Sequence, residues 1–261
     1  MHASSPRGGY WRSLDTTFDS DGLTLSAHLA GPPDAGAAPA IVIAHGFPTG
    51  PRGAAASAST FPELADRIAR MCGWHALTFN FRGTGASEGD FSVAGWRADL
   101  RAAVDHLEAR ADVRGVWLCG VAEGGTLALL ATADDPRVHG CATLAAPRTF
   151  KAWARDPARL LAFARRVGMV RTPGFPASAP AWGQEVAAVD VGAIADRLAG
   201  RPVLLLVGTA DATATVADAR DLVERIGGSA EYRMVGGAGH ELRHDPRAIA
   251  SVLGWIDRQV D

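Results

Sequence analysis

Three unbroken apolar runs constrain this chain most: "AIVIAH" at 40–45, "GVWLCG" at 115–120 and "PVLLLVG" at 202–208. A strand with one wet face alternates apolar and polar residues. A run that is apolar at nearly every position belongs to a strand covered on both faces. Further strands are predicted over 75–81, 139–146 and 230–236. "TTFDS" and "LTLSAHLA", joined by Asp21-Gly22, predict an opening hairpin. Helix-like stretches lie between the strands, over 60–71, 93–109, 124–133, 214–226 and 245–260, with Asp90 or Ser92 as candidate cap of the second. This alternation predicts an α/β chain with a mostly parallel, doubly wound, eight-stranded sheet and helices on both faces.

The 261 residues suit a single domain spanning 1–261. A net charge of −2 offers no footprint for nucleic acid or an anionic membrane. No apolar run has the length of a membrane span, and "MHASSPRGGYWRSLD" lacks the apolar core of a secretory signal. Cys72, Cys119 and Cys141 are odd in number and widely spaced, which argues against a disulfide framework. The expectation is a cytoplasmic protein with no membrane partner.

One segment breaks the rhythm. Residues 147–198 separate two strands and contain "DPARLLAFARRVGMV", a predicted helix, then proline-rich "RTPGFPASAPAW", predicted to be neither helix nor central strand. Its length predicts a cap over a pocket, with an ordinary crossover helix and surface loop as the other reading; Phe163, Met169, Phe175 and Trp182 are candidate substrate-binding residues or, equally, core of the cap.

Three motifs stand at strand ends. "HGFPTG" (45–50) follows the first buried run, "GVAEGG" (120–125) the second, and "GTADAT" and "GGAGHELRHD" follow the last two predicted strands. "GVAEGG" occupies the strand–turn–helix setting of G-x-S-x-G, with Ala122 where serine would stand. In order and context these motifs resemble the α/β-hydrolase superfamily, in particular its small capped esterases and serine-aminopeptidase-like members. The resemblance covers about residues 16–260 and implies the α/β-hydrolase fold with a small cap. It implies that Ala122 holds the nucleophile position, Asp211 the acid's and His240 the base's, with Asp190 and Asp218 as rivals for the acid. It implies that the N–H groups of Phe47 and Glu123 form the oxyanion hole. His45 is expected to be structural, and the Glu123 side chain to point away from the substrate.

"HELRH" (240–244) matches the zinc pattern H-E-x-x-H, but Pro246 and the preceding glycines place it in a loop, so no metal is expected. No organic cofactor is implied. Alanine has no lone pair, so covalent acyl transfer at residue 122 is excluded. Two origins of Ala122 stay open, an engineered replacement and natural loss. Three functions also stay open. One is hydrolysis of a small acyl substrate (ester, thioester or amide) by lineage. Another is proton-transfer chemistry of a lyase, isomerase or cofactor-free oxygenase on the His240–Asp211 dyad. The third is non-catalytic ligand binding. A homodimer is compatible with the sequence.

Overall fold

The structure, a computed structural model, describes residues 11–33, 36–48 and 52–259. The start of the N-terminal stretch, the end of "HGFPTG" and the end of the last predicted helix lie outside the described residues. Eight strands form one sheet: β1 (Arg12–Ser20), β2 (Leu23–Gly31), β3 (Ala38–Ala44), β4 (His75–Phe79), β5 (Val113–Val121), β6 (Val138–Leu144), β7 (Val203–Gly208) and β8 (Ala230–Val235). Their order is β1-β2-β4-β3-β5-β6-β7-β8. β1 and β2 pair antiparallel, β2 meets β4 antiparallel, and all later pairings are parallel. The hairpin turn carries positive φ at both Asp21 (54°) and Gly22 (77°), as a tight two-residue turn between twisted strands requires.

The apolar runs are buried on both sides, and the period of two divides them. Along β3, Ala40, Val42 and Ala44 join one core cluster, while Ile41 and Ile43 join the other. Along β7, Val203, Leu205 and Val207 face the first cluster, and Leu204 and Leu206 the second. Helices α1 (Phe61–Cys72) and α8 (Pro246–Asp257) cover the second cluster. Helices α2 (Val93–Glu108), α3 (Glu123–Asp134) and α7 (Val216–Ile226) cover the first. Ser92 caps α2 through Gly95 N–H at 3.0 Å, whereas Asp90 accepts from the Arg171 and Thr172 amides.

Between β6 and β7 the chain forms α4 (Lys151–Ala154), α5 (Pro157–Arg166) and α6 (Ala179–Ala187), then a 3-10 segment, Val191–Leu198. This corrects the expectation that 171–182 holds no helix. The last four residues of that stretch open α6, with Ser178 accepting from the Ala181 amide and Pro180 in the first turn. A proline there gives up an N–H that the helix would not have used.

Two features aim the sheet at one place. β3 has β4 on one side and β5 on the other, so the winding reverses between β3 and β5. In such sheets the crevice at the carboxyl ends of the strands around this reversal is where ligands bind. The segments after β3, β5, β7 and β8 all emerge at that end.

Candidate active site

Residue 122 is the hinge of a strained turn. Ala122 has φ 49° and ψ −125°, a backbone state that costs a non-glycine residue about 1–3 kcal/mol. Hydrogen bonds hold it: the Ala122 amide donates to Leu144 O at 2.8 Å, and its carbonyl accepts from Gly125 N at 2.9 Å and Thr126 N at 3.2 Å. The flanking glycines leave no room for side chains. A Cβ on Gly120 would lie 2.3 Å from the Gly125 Cα, and one on Gly124 2.3 Å from the His45 carbonyl oxygen. The backbone of a nucleophile elbow is therefore complete around a methyl group.

His240 Nδ1 lies 2.8 Å from Asp211 Oδ2. The Asp211 carboxylate is almost wholly buried, and its other oxygen accepts the Thr213 and Ala214 amides at 2.7 and 3.1 Å. A carboxylate accepts only, so His240 donates from Nδ1, and Nε2 is left as the basic nitrogen. The rivals for the acid position are engaged elsewhere: Asp190 with Lys151 and the Gly192 amide, Asp218 with Thr215. His45 is structural, as expected. It is 1% exposed, its Nδ1 donates to Gly46 O at 2.7 Å, and its Nε2 accepts the Phe81 amide at 3.3 Å. Burial lowers its pKa to about 4, so it stays neutral at neutral pH. "HELRH" folds as a bend and a three-residue 3-10 turn, Leu242–His244, with no helix face to hold two histidines one turn apart.

The Glu123 side chain contradicts the expectation that it points away. Glu123 is only 4% exposed. Its Oε2 accepts the Phe47 N–H at 2.9 Å, and a Cβ on Gly46 would meet the same oxygen at 2.8 Å. The carboxyl thus sits on the amide that the resemblance assigned to a substrate oxyanion. The cause is local: α3 is buried on nearly every side, so there is no solvent for a side chain in its first turn, and the polar amide of Phe47 is its partner. Burial pushes the carboxyl above its ordinary pKa, opposed in turn by the Phe47 amide, its own amide, the charge of His240 and the Trp153 indole.

Phe47, Ala122, Glu123 and His240 line one cavity of about 340 Å³. Asp211 stands behind His240. Phe61, Trp153 and Phe163 supply aromatic walls, and Arg52, Glu241 and Arg243 a charged rim. Of the candidate substrate-binding residues only Phe163 reaches this cavity. Met169 and Trp182 are buried in the core, where the Met169 carbonyl and the Trp182 indole bind the Phe91 backbone. Phe175 packs against the same core. Met169 and Trp182 thereby brace Phe91, which packs against Phe47 with ring centroids 5.1 Å apart. They support the site from behind.

Sequence reasoning missed the Glu123 carboxyl, Trp153 and Arg243. For Glu123 a signal existed: it is the one charge in "GVAEGGTLALLATA", a helix start with no polar face. Trp153, in "KAWA", had no comparable mark.

The sheet order, with the tight turn at Ala122 and the His240–Asp211 pair at its carboxyl end, is that of an α/β-hydrolase fold. A family model described as serine aminopeptidase, S33, matches residues 37–181, and the chain belongs to that family. Among solved structures, the α/β hydrolase GrgF from Penicillium sp. sh18 is 21% identical with a TM-score of 0.72, covering 95% of this chain and 98% of that one. Est1E from Butyrivibrio proteoclasticus, with ferulic acid bound, is 19% identical with a TM-score of 0.71 over 94% and 97%. The Pyrococcus furiosus esterase Pf2001 is 17% identical with a TM-score of 0.69 over 98% and 96%. At these identities the likeness is one of fold. No curated protein sequence matches the chain. No helix among the described residues is long and apolar enough to cross a membrane.

Proposed function

We propose that this protein hydrolyses a small acyl substrate, an ester before a thioester or amide, without a covalent acyl-enzyme. One observation carries the reading. The His240–Asp211 pair is assembled at 2.8 Å and opens, through Nε2, into the cavity that also holds the Ala122 apex. A histidine oriented in this way is a general base. With a methyl group at the apex, the space of a serine oxygen is left for water. His240 takes a proton from that water as it attacks the acyl carbon. Positioned proton transfer of this kind contributes about 10²–10⁴-fold.

The aromatic walls suit a flat or apolar acyl group. Ser57 lines the same cavity with a buried hydroxyl that has no hydrogen-bond partner among the described residues, which supports a polar atom on the substrate. Trp153 and Phe163 reach the cavity from segment 147–198, which supports reading that segment as a cap. The filled Phe47 amide favours natural remodelling over a lone engineered replacement, because restoring serine alone would not restore a second free oxyanion donor.

The test is hydrolysis of short-chain p-nitrophenyl esters. Turnover should exceed the buffer rate, show no initial burst, and drop to that rate in His240→Ala. Turnover unchanged in His240→Ala would overturn the reading.

A further inference from the structure

We infer that Glu123 is the catalytic acid of this site: its carboxyl, anchored through Oε2 on the Phe47 amide, presents Oε1–H to the carbonyl oxygen of the substrate. The inference rests on the hydrolytic reading above and names the group that stabilises its oxyanion. Four observations support it.

First, position. The carboxyl stands at the strand ends beside the elbow, where a developing oxyanion would have to lie, and it lines the cavity with His240. Second, the anchor. The Phe47 amide engages Oε2, and the further side-chain donor acting on the carboxyl is the Trp153 indole, which is itself part of the cavity wall. Third, the charge has no direct counter-ion. Among the described residues no lysine, arginine or histidine nitrogen lies within salt-bridge distance of Glu123, although the residue is 4% exposed. An unpaired carboxylate that loses its water is expensive, and protonation removes the cost. Burial accordingly outweighs the opposing amides, indole and histidine in setting its acidity. Fourth, a carboxylate on the Phe47 amide would repel an oxyanion there, whereas a neutral acid donates to it. Neutral carboxylic acids held in apolar sites act as oxyanion donors in this way.

The step balances. Water attacks the acyl carbon, and its proton passes to His240 Nε2. The carbonyl π electrons move onto the carbonyl oxygen, which accepts the hydrogen bond from Glu123 Oε1–H. Collapse expels the alkoxide, which takes the proton from His240. The carboxylic acid product leaves with the water's oxygen.

Other charged groups lining the cavity are Arg52, Glu241 and Arg243. Buried His45 is neutral, and Asp211 is paired with His240. The acid must be protonated to donate, so activity falls as pH rises through its titration.

The experiment compares the wild type with Glu123→Gln and Glu123→Ala. Glutamine can accept from Phe47 with its oxygen and donate with its amide. It should keep activity on p-nitrophenyl acetate within about tenfold and lose the alkaline decline. Alanine should lose about 10²–10³-fold, the cost of one oxyanion donor. Infrared difference spectra, wild type minus Glu123→Gln at pH 7, should contain a protonated carboxyl band. A carboxylate band alone would overturn the inference whether or not any ester is hydrolysed. Abolished activity in Glu123→Gln would overturn it too, as would ¹⁸O entering the Glu123 peptide after one turnover in labelled water, which would make the group a nucleophile. Absence of wild-type hydrolysis with the protonated band present would sink the hydrolytic reading and leave the acid in place.

Discussion

The Glu123 carboxyl accepts the Phe47 N–H at 2.9 Å, across 76 residues of sequence, and so covers one of the two amides an acyl-enzyme mechanism would use. Serine alone should therefore restore little. Ala122→Ser is expected to fold normally, since the strained φ already holds a Cβ. Its labelling by fluorophosphonate probes should be slow. Ala122→Ser with Glu123→Ala frees the Phe47 amide and should label about 10²–10³-fold faster. Equal rates in the two variants would show that the carboxyl does not obstruct the amide.

Asp211→Asn should separate orientation from folding. Its oxygen can still accept from Thr213 and Ala214, but an amide NH₂ facing His240 Nδ1 favours the wrong tautomer. Ester turnover should fall by at least about 10²-fold with thermal stability nearly unchanged. Unchanged turnover would remove the dyad from the mechanism.

Asp99 holds the first turn after β4. It is fully buried and accepts from the Arg82 guanidinium, the Arg82 amide and the Ser20 hydroxyl. Asp99→Ala would leave the largely buried Arg82 with only the exposed Asp21 as counter-ion. Breaking a buried pair in this way costs about 3–5 kcal/mol. Urea unfolding should show a loss of that size, and a shift under about 1 kcal/mol would contradict the assignment.

His45 links stability to acid. Its folded pKa is lowered by burial to about 4, against an ordinary value of 6.5. Between those values the unfolded chain binds a proton that the folded chain refuses. Its contribution is fully present above pH 6.5 and is lost as pH falls toward 4. That interval corresponds to about 3 kcal/mol. In His45→Gln the urea midpoint should depend less on pH over this window. Some slope should persist from His75, which burial also lowers.

Gly124 is needed for close approach. Its Cβ position lies 2.3 Å from the His45 carbonyl oxygen and 2.5 Å from that of Ala44, both backbone atoms. Gly124→Ala should destabilise by about 1–3 kcal/mol or more, read as a lower melting temperature. Gly237→Ala is a useful contrast. It meets no atom within 4 Å and suffers only from its positive φ of 73°.

The sequence by itself determined the sheet and the placement of the His240–Asp211 pair. The runs around Val42, Leu118 and Leu205 had to be strands covered on both faces, because no position in them tolerates water. The motifs holding Ala122, Asp211 and His240 each follow a strand, and parallel strands deliver such segments to one end. Local chemistry also marked Asp90 or Ser92 as a cap, of which the structure uses Ser92, and Asp21-Gly22 as a turn. Tertiary structure alone decided what fills the pocket. Met169, Phe175 and Trp182 carry the same apolar signal as Phe163, and only tertiary packing turned them into the core, where Met169 and Trp182 bond the Phe91 backbone. The direction of Glu123 was decided by the depth of the first turns of α3: buried there, its carboxyl had to find a buried donor, and it found the Phe47 amide on a loop far away in sequence.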